Sequence, residues 1–281
     1  LETVNDLDGF LINAWRAIRA NPVAVAQWTD DIQAEADLLA RHLWLMERRE
    51  ELVERLQVDP FYYDAHIAGW WIWGACCWIG SGWCSGKGPW TRERDEHGAW
   101  KLIHLGNKGQ GVNRQLLHLG HKGQGVNRKL IHLGDKGRGV YAWFVALSER
   151  LRGVRVACGD WRRVIGDSVT YKNGGIRGGI TGVFLDPPYA MNRCSELYAH
   201  DDMSISSAVR AWAVEMGKRT DMRIALCGYA GEHDLPGWEE FVWKANGGFG
   251  SQGQGQARVN ARSERIWFSP ACLGGRQGRL F

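Results

Sequence analysis

The residues with the greatest chemical potential are Asp186, Pro187, Pro188 and Tyr189, which follow the apolar run Val183-Phe184-Leu185 without a break. A strand running straight into this tetrad sets Asp186 at the carboxyl end of a sheet, where open α/β folds bind ligands. The two prolines fix the backbone and remove amide hydrogens. Carbonyl acceptors and the Asp186 carboxylate can then meet one substrate amine, while Tyr189 offers a flat ring. Such an arrangement suits an aromatic base taken out of its stack, its exocyclic NH₂ held and its face covered. The lone pair of that amine is delocalised into the ring. Alkylating it requires acceptors that localise the pair and an electrophilic carbon in line; Asp186 and the Pro187 carbonyl are the natural acceptors. No metal or covalent nucleophile is needed. The same four residues would also serve as a plain tight turn, with Asp186 as a local cap.

The elements that must position this tetrad are legible around it. Leu1 to Asp8 reads as a strand end entering a helix, in which Leu11, Trp15 and Ile18 recur at helical spacing until Asn21-Pro22. Asp30 to Leu56 is rich in Ala, Leu, Glu and Arg, with a stripe of Leu38, Leu39, His42, Leu43 and Met46, and predicts one long helix ending before Asp59-Pro60. Tyr141–Leu151 predicts a helix; Val154–Cys158, Gly182–Leu185, Met222–Cys227 and Arg265–Phe268 predict strands. Ser206 or Ser207 is placed to cap a helix bearing Val209, Trp212, Ala213 and Met216 on one face. Short apolar strands separated by helices imply an α/β body with a mostly parallel sheet.

The middle of the chain is different. Over residues 61–100 seven Trp alternate with Gly at neither helical nor strand spacing, which predicts a compact irregular lobe. A repeat of 14 residues follows, from His104 to Arg114, again from His118 to Arg128, and in part from His132 to Val140. Its Gly-rich turns carry Lys108, Arg114, Lys122, Arg128, Lys136 and Arg138. Exposed N–H groups and cations of this kind can cradle phosphates. A tandem duplication tolerated in a surface loop fits them equally. The 281-residue chain has a net charge of +4, and residues 86–140 hold 11 Lys/Arg against four Asp/Glu, so the rest is slightly acidic. A basic insertion on an acidic body suits a polyanion. Hydrophobic residues at 44% exclude global disorder. Seven cysteines without zinc-site spacing, and no apolar run of bilayer length, make a cytoplasmic protein with no membrane partner and no metal the expectation.

The tetrad resembles the amino-methyltransferase signature of DNA methyltransferases, in particular the Dam-type adenine-N6 family of bacteria and phages. Asn5-Asp6-Leu7-Asp8-Gly9-Phe10 is similar to that family's second motif, and Gly159-Asp160-Trp161 to its third. The resemblance implies a Rossmann-like S-adenosylmethionine-dependent methyltransferase sheet with an inserted Trp/Gly-rich, basic lobe: residues 1–59 and 141–281 as the methyltransferase body, 60–140 as the target-recognition insertion. It implies that Asp6, or less readily Asp8, binds the ribose hydroxyls of S-adenosylmethionine, that Asp160 meets the cofactor's adenine amine, and that Trp161 lines that pocket. Asp in the first position of the tetrad points to adenine, cytosine-N4 enzymes commonly carrying Ser there. Double-stranded DNA is the implied partner, with Arg193 reaching a phosphate near the extruded nucleotide or lying solvated in its loop. His233, beyond the strand at 222–227, is a lesser candidate for proton transfer.

The family also carries a Lys-containing segment and a Phe-x-Gly-x-Gly cofactor loop upstream of the Asp6 motif. Neither occurs within residues 1–281. An upstream segment or a second chain is therefore expected to complete the cofactor site, and this chain alone to bind S-adenosylmethionine weakly. The alternatives are an RNA adenine or cytosine-N4 methyltransferase, and a DNA-binding remnant or subunit with a defective cofactor site.

Overall fold

The computed structural model describes residues 2–31, 35–78, 83–84, 93–94, 100–101, 139–170, 179–189, 203–242 and 263–273. They form a mixed α/β fold in two units, one running through Val164 and the other starting at Ile165. In chain order the first contains β1 (Glu2–Asp6), α1 (Gly9–Ala20), α2 (Pro22–Thr29), α3 (Glu35–Glu47), α4 (Arg49–Val58), α5 (Ala65–Cys77), the two-residue strands β2 (Glu93–Arg94) and β3 (Trp100–Lys101), α6 (Val140–Leu151) and β4 (Val154–Cys158). The second contains α7 (Asp167–Thr170), β5 (Thr181–Leu185), α8 (Met203–Met216), β6 (Met222–Tyr229), β7 (Glu239–Val242), β8 (Glu264–Phe268) and α9 (Pro270–Leu273). None of the described helices is long and apolar enough to cross a membrane.

In the first unit β1 and β4 pair in parallel, from Glu2 opposite Val154 to Asp6 opposite Cys158. Helix α1 packs beside them and buries Phe10, Ile12 and Ile18. Its cations close one side of the sheet: Arg16 Nε donates to the Val156 carbonyl at 3.0 Å and Arg19 donates to that of Val154 at 2.7 Å. Carbonyls on an edge strand need such partners once covered. The outer edge of β1 is unpaired among the described residues, and Val4 on it is 36% exposed.

Three expectations fail here. Ala65–Cys77, read as irregular, is a helix capped by Asp64, whose carboxylate accepts from Ile67 N–H at 2.8 Å. Buried Asn13 exchanges two hydrogen bonds with the Asp64 backbone, each at 2.8 Å, and so fixes where α5 starts. Apolar residues surround α5 on all sides because it lies between α1, α2 and α3, and a helix buried all round has no amphipathic period to read. The break expected at Asn21-Pro22 ends α1 at Ala20 as read, but a second, unforeseen helix starts at once: Asn21 caps α2 and Pro22 occupies its first turn, where no amide hydrogen is missed. The long helix over 30–56 is two, interrupted at Arg48, whose guanidinium turns back to the Trp44 carbonyl at 3.0 Å. Ser206 and Ser207 lie inside α8 rather than at its start; Ser206 is buried and its hydroxyl reaches Glu232 at 3.3 Å.

The second unit holds a four-stranded sheet in the order β5-β6-β8-β7. Strands β5 and β6 are parallel, whereas β8 runs antiparallel to both its neighbours. Val183, Leu185, Ile224, Leu226 and Trp267 share the face that packs on α8 and α9, where Ile224 and Leu226 are fully buried. The opposite face carries Phe184, Cys227, Tyr229, Ile266 and Glu264, by the alternation of side chains along each strand.

Candidate functional site

Asp186 follows β5 directly, at the carboxyl end of two parallel strands, as the sequence predicts. Continuing the alternation of β5 by one residue puts it on the face of Phe184, beside Cys227 of β6. The Tyr189 hydroxyl donates to the Asp186 carboxylate, and the Tyr189 ring meets Tyr229 edge-on at 4.7 Å. Burial first, and then the Asp186 charge, push the phenol well above its ordinary range, so Tyr189 is a neutral donor. The same two influences, with Glu264 added, push the Cys227 thiol up to about 12. A thiol so placed is no nucleophile at neutral pH. The site therefore offers a carboxyl acceptor, a neutral donor and two aromatic rings.

Glu264 was not singled out by its sequence. Strand β8 begins one residue earlier than Arg265, and only its antiparallel direction brings that first residue to the carboxyl end of β6, opposite Tyr229. The signal available was the alternation Glu264, Ile266, Phe268 against Arg265 and Trp267. His233, by contrast, leaves this face. Its Nε2 lies 3.3 Å from the Cys227 carbonyl and its ring packs edge-on against Trp267 at 4.9 Å, on the side of β6 that Gly228 faces. Burial holds its imidazole below the ordinary range, hence neutral.

In the first unit, the strand ends carrying Asp6 and Asp160 are tied together. Gly159 N–H donates to the Asp6 carbonyl at 3.0 Å, and Asn5 Nδ2 donates to the Gly159 carbonyl at 3.0 Å. Gly159 adopts φ +138°, a conformation side chains rarely take, and it turns the chain sharply into the 3₁₀ turn Trp161–Arg163. Asp160 caps this turn, accepting from Arg162 N–H at 2.9 Å, and Trp161 is half-buried. Asp6 accepts from Asp8 N–H at 2.8 Å. The Asp8 carboxylate is itself the cap of α1, accepting from Phe10 N–H at 2.9 Å and Leu11 N–H at 3.4 Å. Its burial raises its pKa. Of the two, Asp6 is the one whose carboxylate is not committed to a helix terminus.

Lys108, Arg114, Lys122, Arg128, Lys136, Arg138 and Arg193 lie outside the described residues. Among the described residues no three metal-ligating side chains converge. Compared with known proteins, the chain matches no family model and no curated protein.

Proposed function

We propose that this chain is the body of an S-adenosylmethionine-dependent methyltransferase acting on N6 of an adenine extruded from duplex DNA. The observation that carries this reading is the strand-end Asp186-Pro187-Pro188-Tyr189, with its phenol neutral and its neighbouring thiol unreactive. The residues of the first unit fit the cofactor. Asp6 and Asp160, at adjacent strand ends joined through Gly159, supply carboxylate acceptors suited to a ribose diol and an aromatic amine, and a carboxylate keeps lone pairs beyond the single bond each accepts there. Trp161 adds an indole face. Bound there, the cofactor supplies an electrophilic methyl group on a sulfonium.

This chain's own residues do the rest. Asp186 and the Pro187 carbonyl accept from the two N–H groups of the amine, drawing its lone pair out of conjugation. Tyr189 covers the face of the base and stays uncharged. A methyl group supplied by such a cofactor would meet this nitrogen, and the N–H proton it displaces would pass to solvent. Among the described residues the outer edge of β1 is unpaired, which leaves room for a further strand, from an upstream segment or a second chain, to join the first unit's sheet.

Incorporation of labelled methyl groups into duplex DNA tests the assignment. Asp186→Ala should lower turnover by about 10²–10³, the scale of losing one transition-state hydrogen-bond partner, while duplex binding persists. Tyr189→Ala should also lose turnover severely. Retained turnover in Asp186→Ala would reject the site.

A further inference from the structure

The turn that ends β6 is held from several directions. The Glu232 carboxylate accepts from Tyr229 N–H at 2.9 Å and from the Ser206 hydroxyl of α8 at 3.3 Å. Glu232 N–H donates back to the Tyr229 carbonyl at 2.9 Å, and Ala230 N–H donates to the Ser263 carbonyl, just before β8, at 2.7 Å. His233 Nε2 meets the Cys227 carbonyl at 3.3 Å. Gly228 has no room for a side chain: an added Cβ would lie 2.9 Å from His233 Nε2 and 3.1 Å from a Glu232 carboxylate oxygen.

What this turn seats is Tyr229. By alternation its side chain leaves the Gly228 side for the face that Asp186 joins, and its ring meets Tyr189 with centroids 4.7 Å apart and planes at 73°. Pro187 and Pro188 fix the backbone before Tyr189 but leave its side-chain torsions free. The hydroxyl bond to Asp186 fixes one point of the Tyr189 ring, and a second contact is needed to fix its plane. An edge-to-face pair supplies that contact, because the positive rim of one ring sits on the negative face of the other. We propose that Tyr229 is a positioning residue, which sets the ring plane of Tyr189 and so the plane in which an aromatic base can lie with its amine at Asp186. Glu232, tied to α8 through Ser206, sets in turn where Tyr229 stands. The inference rests on the methyl-transfer reading of the Asp186 site.

NMR of the full chain with ¹³C-labelled tyrosine rings, the Tyr189 signals identified by their loss in Tyr189→Phe, reads the contact without cofactor or DNA. In Tyr229→Leu these signals should lose their ring-current displacement, and in Tyr229→Phe they should keep it. Glu232→Ala, which leaves both rings in the chain, should shift them the same way by a smaller amount. Signals unmoved in both Tyr229→Leu and Glu232→Ala overturn the proposal. In the methyl-incorporation assay Tyr229→Leu should lower kcat by about two- to tenfold, the scale of one aromatic pair, with duplex Kd unchanged. Tyr229→Phe should restore most of that loss. Equal losses in Leu and Phe, or a loss confined to duplex Kd, would contradict the role. The expected shifts without any methyl transfer by the wild-type chain would overturn the proposed function alone and leave the ring pair standing.

Discussion

His42 on α3 is a buried imidazole, held neutral by that burial, with its pKa lowered to about 4. It accepts from the Cys84 N–H at 3.4 Å and stacks on Trp78 at 5.3 Å, so it belongs to the packing of the Trp-rich segment rather than to any catalytic pair. The adjacent Cys84 thiol is pushed well above its ordinary range by burial, which makes the pair inert. The sign of its pH effect follows. Below the unfolded value of 6.5 the unfolded chain takes up a proton that the folded one refuses, so stability falls as pH drops from 6.5 to about 4. Thermal melts at pH 7 and pH 4.5 should show this fall, and His42→Gln, which can still accept from Cys84, should reduce it. An undiminished fall in His42→Gln would contradict the assignment. His66 and His233 are also depressed by burial and leave a residual slope of the same sign. At this scale the sequence was informative where chemistry is contiguous: Asp186 to Tyr189 are neighbours in the chain. Glu264 lies far from them in sequence and reaches the same end of the sheet only through an antiparallel strand, so its alternation with Arg265 marks a face but not its place beside β6.

Helix α5 shows why elements were harder to read than the tetrad. Its Gly69 lets α2 approach so closely that an added Cβ would sit 2.3 Å from Trp28 Cβ and 2.9 Å from the Val25 carbonyl oxygen. Backbone on both sides cannot give way, so Gly69→Ala should cost about 1–3 kcal/mol by overpacking. Urea unfolding should report a lower midpoint with an unchanged slope. Gly166→Ala, where an added Cβ meets nothing within 4 Å, is the control and should change stability by no more than about 0.5 kcal/mol. Equal midpoints for both variants would refute the close approach. Glycines that serve helix contact were read as turn formers, and Trp70, Trp71 and Trp73, spread around the helix, erased its period. Trp70 and Trp44 meet across His66, whose ring also stacks on Trp28 at 3.9 Å, which makes this segment a packed aromatic layer. Strands were more transparent: Val154–Cys158 was read to the residue, because short β-branched runs between turn signals leave few alternatives. The direction of β8 and the existence of β7 were not, since pairing partners are chosen by the whole sheet.

For the whole molecule, the charge distribution is what motivates the proposed binding of DNA. Residues 86–140 hold 11 Lys/Arg against four Asp/Glu on an otherwise slightly acidic chain, and the repeats there place Lys108, Lys122 and Lys136 at equivalent positions. Each phosphate contact contributes about 0.9 to the slope of log affinity against log salt. Replacing all three lysines should weaken cognate and unrelated duplexes alike and flatten that slope in a fluorescence-anisotropy salt series. An unchanged slope would assign docking elsewhere, and loss confined to one sequence would indicate base reading. The central claim, methyl transfer to adenine N6, is tested most directly by its product. The full reading frame that encodes this chain, expressed in a bacterial host without adenine methylation, should leave N6-methyladenine in the host DNA, detected by mass spectrometry of digested nucleosides, and Asp186→Ala should leave none. N4-methylcytosine in its place, or N6-methyladenine undiminished in Asp186→Ala, would contradict it.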